Sequence, residues 1–356
     1  MIPVTVPFLP EKSEYLKLLD DIWERNWLTN NGPLVRDFEK QLKLYLKTPE
    51  LLYVGNGTIA LQLAIKALAL KGEIITTPFS YVATTSSIVW ENCKPVFVDI
   101  CSETFNIDPT LIRSAITKET SAILATHCFG NPCDIEEIQQ IAKDYDLKII
   151  YDGAHCFGTL YKNESVFNFG DISTTSFHAT KLMHSVEGGA VFSADPYIIE
   201  RLGRMRNFGH DGPERFNGIG INGKNSEVHA AMGLCVLSRI SEILSKRREQ
   251  SMRYDQLLAG FPVRKQLINP YCSYNFAYYP IVFQNEDSCL AAKENLERNG
   301  IYPRRYFYPS LSKLDYTNSF DMPISEAISS SILCLPVYHA LSDKDQIRIA
   351  DILLNG

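Results

Sequence analysis

At 356 residues the chain is longer than one ordinary hydrophobic core requires, so two domains are expected. Its hydrophobic content of 45% is that of a globular protein, and a net charge of -6 argues against a nucleic-acid binder, which would carry a basic stripe. No window approaches about eighteen consecutive apolar residues and the first residues lack a basic, then apolar leader, so the expectation is a cytoplasmic protein with no membrane span.

Residues 11–25 read as an amphipathic helix, with Leu16, Leu19, Ile22 and Trp23 near helical spacing. The polar loop Trp27-Leu28-Thr29-Asn30-Asn31-Gly32-Pro33 follows, either a plain connection or a substrate-facing edge, and a second helix runs over about 35–47. Gly55-Asn56-Gly57-Thr58 then opens a helix over 59–68. Glycines there let the backbone approach a ligand, and the first N–H groups of the helix lack internal partners, which makes an anion site; Thr58 can cap the helix or bond a phosphate. The spacing is that of neither a dinucleotide fingerprint nor a Walker loop.

Strand and helix alternate from there: strands over 73–77, 95–100, 121–127 and 148–152, and helices beginning near 81, 109 and 134, the second with Asp108 as its cap. Such alternation implies an α/β fold with a mostly parallel sheet covered on both faces, and ligands outside the carboxyl ends of the strands. Gly57, Tyr81, His127, Asp152 and the loop carrying Lys181 all follow such ends. That loop, Ser176-Phe177-His178-Ala179-Thr180-Lys181, lies between strands at 171–175 and 190–193. A glycine-rich stretch fills 202–225, one long helix spans about 226–254, and a composition change at 255–275 marks the boundary of a small α+β domain. The expected division is 1–254 and 255–356. Nine scattered cysteines read as free thiols; Cys128 and Cys133 are the one close pair, without zinc spacing, and no metal site is expected.

A phosphate cradle, a strand-end aspartate, an aromatic and a loop lysine together describe one cofactor, pyridoxal 5'-phosphate. The lysine amine would form the Schiff base, the aspartate would keep the pyridine nitrogen protonated so that the ring is an electron sink, and the aromatic would stack on a ring face. Taken singly, each has an ordinary reading: Asp152 as a cap or turn residue, His155 and Tyr81 as core residues, Asn225 as a helix cap.

In order along the chain, Gly55-Asn56-Gly57-Thr58, Asp152-Gly153-Ala154-His155-Cys156-Phe157-Gly158, Ser176 to Lys181, Glu187-Gly188-Gly189 and Gly223-Lys224-Asn225-Ser226-Glu227-Val228-His229 resemble the DegT/DnrJ/EryC1/StrS family of sugar aminotransferases. The resemblance implies a type I aminotransferase fold with a seven-stranded sheet. It also implies that Lys181 is the Schiff-base lysine and the acid–base group. By the same resemblance Asp152 meets the pyridine nitrogen, His155 lies near the ring and its 3-hydroxyl, and Tyr81 stacks. Gly57, Thr58 and Ser176 would bind the phosphate, and Asn225 would reach the cofactor of a neighbouring subunit in a homodimer. The implied reaction moves an amine from L-glutamate to a nucleotide-linked keto sugar for surface polysaccharide. The 27–33 loop and the Phe-His-Ala-Thr-Lys sequence resemble enzymes that act on dTDP-4-keto-6-deoxyglucose; a 3-keto or GDP-sugar substrate is the alternative. A dehydratase of the same fold carries histidine in place of the lysine, and a non-enzymatic binding protein would not need lysine, aspartate and phosphate residues together. Thr29, Asn30, Arg206, Lys224, Arg304 and Arg305 are candidates for the sugar nucleotide, against an ordinary reading as solvated surface.

Overall fold

The computed structural model describes residues 1–318 and 321–355. Seven strands form the central sheet, in the order Leu51–Val54, Gly189–Phe192, Ile172–Ser176, Lys148–Asp152, Thr120–Thr126, Glu73–Thr76 and Lys94–Phe97. Successive pairs from Ile172–Ser176 to Lys94–Phe97 are parallel. Gly189–Phe192 runs antiparallel to both its neighbours. The near-continuous apolar runs make sense because both faces are covered. Ile74, Leu124 and Ile150 enter one core cluster, while Ile75, Ile123 and Tyr151, one residue along, enter the other.

The expected helix over 226–254 is two helices, Glu227–Ser238 and Ile240–Leu257, meeting at 59°. Arg239, at φ -107° and ψ 7°, leaves the helical region at the junction. The first helix is apolar almost all round and is buried, whereas the second is amphipathic and turns to bury Tyr254 against Leu296, Leu333 and Ile349. Ile2 belongs to the same cluster, since Ile2–Pro3 pairs in parallel with Ile301–Tyr302. Residues on both sides of the expected 254/255 division therefore share that core, whose strands Tyr279–Val282 and Ile332–Leu335 are antiparallel. The glycine-rich 202–225 stretch begins in the helix Pro196–Met205 and continues as a loop closed by bridges between Asn207 and Asn222 and between His210 and Phe216. No single helix among the described residues is long and apolar enough to cross a membrane.

The N-terminus of the helix Pro33–Leu46 is satisfied from far along the chain. Glu227, fully buried, accepts from Leu34 N at 2.9 Å and Val35 N at 2.8 Å. Pro33, in the first turn, has no N–H to satisfy. A carboxylate at this end also meets the positive pole of the helix. Glu227→Ala leaves both donors buried and is expected to cost about 2–4 kcal/mol in equilibrium denaturation; an unchanged midpoint would contradict the role.

Candidate active site

A cleft of about 360 Å³ opens at the carboxyl ends of the parallel strands, lined by Gly57, Thr58, Tyr81, Asp152, His155, Ser176 and Lys181. Asn56 caps the helix Gly57–Ala67 by accepting from Ile59 N at 2.8 Å. Capping therefore falls to Asn56, and Thr58 faces the cleft. The helix end is pressed onto the sheet at two glycines. A Cβ on Gly57 would lie 3.0 Å from Ser176 Cβ, and one on Gly189 would lie 2.6 Å from the Asn56 carbonyl carbon. A side chain has no room at Gly189 and would crowd Ser176 at Gly57, so the free N–H groups of the first turn and the Ser176 hydroxyl stand together as an anion cradle.

Asp152 ends its strand buried, with Oδ2 accepting from Thr84 Oγ1 at 2.8 Å and Oδ1 from Ala154 N at 3.0 Å. Loss of solvent raises its pKa above the usual carboxylate value, against the Thr84 and Ala154 hydrogen bonds and the charge of Lys181. His155 accepts at Nδ1 from Phe129 N at 3.2 Å, which leaves the ring proton on Nε2. Phe129 adopts φ 58°, a left-handed conformation rare for a bulky residue, and its ring stacks on the imidazole. Burial, then the Lys181 charge, holds His155 well below its ordinary pKa, and hence neutral. Lys181 Nζ lies 3.4 Å from the Tyr278 hydroxyl. Burial lowers its pKa, opposed by Tyr306 and Asp152, so more of the free amine is present than on an exposed lysine. Tyr81 is 55% exposed at the mouth of the cleft.

Residues 10–354 match the DegT/DnrJ/EryC1/StrS aminotransferase family. The chain belongs to that family. It is 42% identical, over 95% of its length and 94% of the relative's, to a dTDP-4-amino-4,6-dideoxy-D-glucose transaminase of Shigella dysenteriae. It is 39% identical to the protein of that name from Escherichia coli, over 99% of this chain and 98% of the other. The solved structure of DesI in the presence of its TDP-sugar product superposes with a TM-score of 0.94 at 31% identity, covering 99% of this chain and 92% of that one. The chain is thus a sugar aminotransferase of this family with the family's α/β fold.

Of the candidates for the sugar nucleotide, only Arg304 lines this cleft. Arg206 is buried, its guanidinium 2.5 Å from Glu39 Oε1 and 2.7 Å from Tyr53 O, so its charge is spent inside this chain. Arg305 pairs with Glu286 and lies over the Tyr308 ring. Lys224 donates to Asn207 Oδ1 at 2.8 Å. Thr29 and Asn30 sit on an exposed loop away from the cleft, with Asn30 beside Asn207 and His210. Asn225 is buried and donates to Tyr53 Oη at 2.8 Å and Glu187 O at 2.9 Å. Arg304 does line the cleft, its guanidinium 4.7 Å from the centre of the Tyr306 ring. Thr84, Tyr278, Tyr306 and Phe307, none of them expected from the sequence, also line or support the site. Thr84 alone had a signal, standing one helical turn beyond Tyr81.

Asp152→Asn is expected to raise the stability of the cofactor-free chain at pH 7–8. Its Oδ1 can keep the Ala154 hydrogen bond and its amide can donate to Thr84, while the cost of the buried charge, roughly 1.4 kcal/mol for each unit of raised pKa, disappears. The wild-type carboxyl titrates above its unfolded value, so its penalty is complete at high pH and fades as pH falls through the folded pKa. The advantage of the variant should fade likewise in thermal melts, and a variant less stable at every pH would refute the reading.

Proposed function

We propose that this aminotransferase uses pyridoxal 5'-phosphate to move an amino group from L-glutamate to dTDP-4-keto-6-deoxyglucose, forming dTDP-4-amino-4,6-dideoxyglucose for surface polysaccharide. The observation that carries the cofactor reading is the meeting of Lys181, Asp152 and His155 in one cleft beside the Gly57–Ser176 anion cradle. The near full-length identity with the two transaminases supports the sugar.

The residues present fit the cofactor. Gly57, Thr58 and Ser176 would hold its phosphate, Asp152 its ring nitrogen, Tyr81 a ring face and Lys181 its reactive carbon through Nζ. When bound, the cofactor supplies an electron sink that lets a proton leave the carbon bearing the amine. Lys181 Nζ would hold that proton and return it, a task suited to an amine whose pKa burial has lowered. Neutral His155 would offer its Nε2 proton to the cofactor without adding a charge beside Lys181. Arg304, which forms no ion pair among the described residues, is available to a carboxylate or diphosphate.

A homodimer with a shared active site belongs to the same proposal. Trp23, Phe216 and Ile219, all at least 67% exposed, supply apolar surface that a second chain would cover.

The purified protein is expected to show a near-visible absorbance band lost on borohydride reduction and absent from Lys181→Ala, whose turnover falls by roughly a hundredfold to ten-thousandfold. With glutamate and a panel of keto-sugar nucleotides, NMR should place the new amine at C4 of the dTDP sugar. Amination at C3 alone would reject the sugar assignment, and a wild type without the band would reject the cofactor.

A further inference from the structure

Behind Asp152 stands a file of buried hydroxyls. Thr84 Oγ1 meets Asp152 Oδ2 at 2.8 Å, Ser80 Oγ lies 2.7 Å from Thr84 Oγ1, and Thr126 Oγ1 lies 3.0 Å from Ser80 Oγ. None of the four residues is more than 6% exposed. They gather the ends of three neighbouring strands. Thr126 closes Thr120–Thr126, Asp152 closes Lys148–Asp152, and Ser80 and Thr84 follow Glu73–Thr76 into the helix Val82–Trp90.

Proton counting gives the file a direction. A hydroxyl has one proton to donate, and an ionised carboxylate only accepts. Thr84 therefore spends its proton on Asp152 and accepts from Ser80. Ser80 has then spent its own and accepts from Thr126. All three O–H dipoles point at the carboxylate while it is charged, and a neutral carboxyl would remove that constraint.

We propose that Thr84, backed by Ser80 and Thr126, is a positioning group that keeps Asp152 charged and aimed into the cleft. Aligned hydroxyls strengthen one another at low dielectric, which offsets the cost of burying the charge. The other titratable groups felt with Asp152 are the Lys181 amine and the thiols of Cys128 and Cys156, and burial holds both thiols neutral. What the aspartate does for a bound cofactor rests on the function proposed above; the effect of the hydroxyls on the carboxyl does not.

The test uses the full chain without cofactor. Titration of Asp152 is read from the stability difference between each protein and its Asp152→Asn counterpart across pH. Thr84→Val should move the midpoint upward, and Thr84→Ser, which keeps the hydroxyl, should restore it. Ser80→Ala should move it less, and should add nothing in the Thr84→Val background. Pyridoxal phosphate added to the same proteins should bind Thr84→Val about tenfold more weakly than wild type, with Thr84→Ser near wild type. An unmoved midpoint in Thr84→Val, or an equal Ser80→Ala shift with and without Thr84, overturns the proposal. If Thr84→Val does not fold, an unmoved midpoint in Ser80→Ala overturns it alone. A wild type that fails to bind pyridoxal phosphate counts against the proposed function, while the titration still decides the role of Thr84.

Discussion

The site is organised around a charge buried at the end of a central strand. Asp152 loses most of its solvent there, which favours the neutral carboxyl, and the groups that oppose that tendency come from separate parts of the chain. Thr84 arrives from the helix after Glu73–Thr76, Ala154 from the turn after the strand itself, and Lys181 from the loop after Ile172–Ser176. They meet because the strands hold a parallel register. Asp152 pairs beside Thr126 on one side and beside Thr174 on the other. A slip of one residue would turn Asp152 to the opposite face of the sheet.

The one antiparallel strand of the central sheet matters equally. Gly189–Phe192 returns beside Ile172–Ser176, so the segment 177–188 is a long hairpin loop whose ends are fixed at Ser176 and Gly189. That loop brings Lys181 back over the strand ends, and the missing side chain at Gly189 lets the helix start at Asn56 and Gly57 close against it. The anion cradle and the lysine are thus products of one local packing arrangement. A larger residue at Gly189 would strike the Asn56 backbone, which has little freedom to yield.

Much of this was legible before any tertiary contact was known. Apolar strands separated by helices announced the mostly parallel sheet, and Asp152 could be read as a strand-end residue because the run 148–151 stops there. The break at Arg239 was not legible, since helical propensity continues across it and the bend answers to different packing on either side. Arg206 was no more readable. A local sequence presents it as an available cation, and only the fold brings up Glu39, 167 residues away, to bind it. The same distance effect hid the partner of Thr84, whose place one helical turn beyond Tyr81 was readable but whose carboxylate lies 68 residues later.

The sequence by itself determined the elements, the order in which they alternate, and the lysine, aspartate and glycine motifs that resemble one family, because these depend on residue type and short spacing. The tertiary structure decided which side chains share the cleft, which cations are already paired inside the chain, and that Asp152 is buried with a directed file of hydroxyls behind it. Those outcomes depend on strand register and on the solvent each group loses, and both arise only when distant segments pack together.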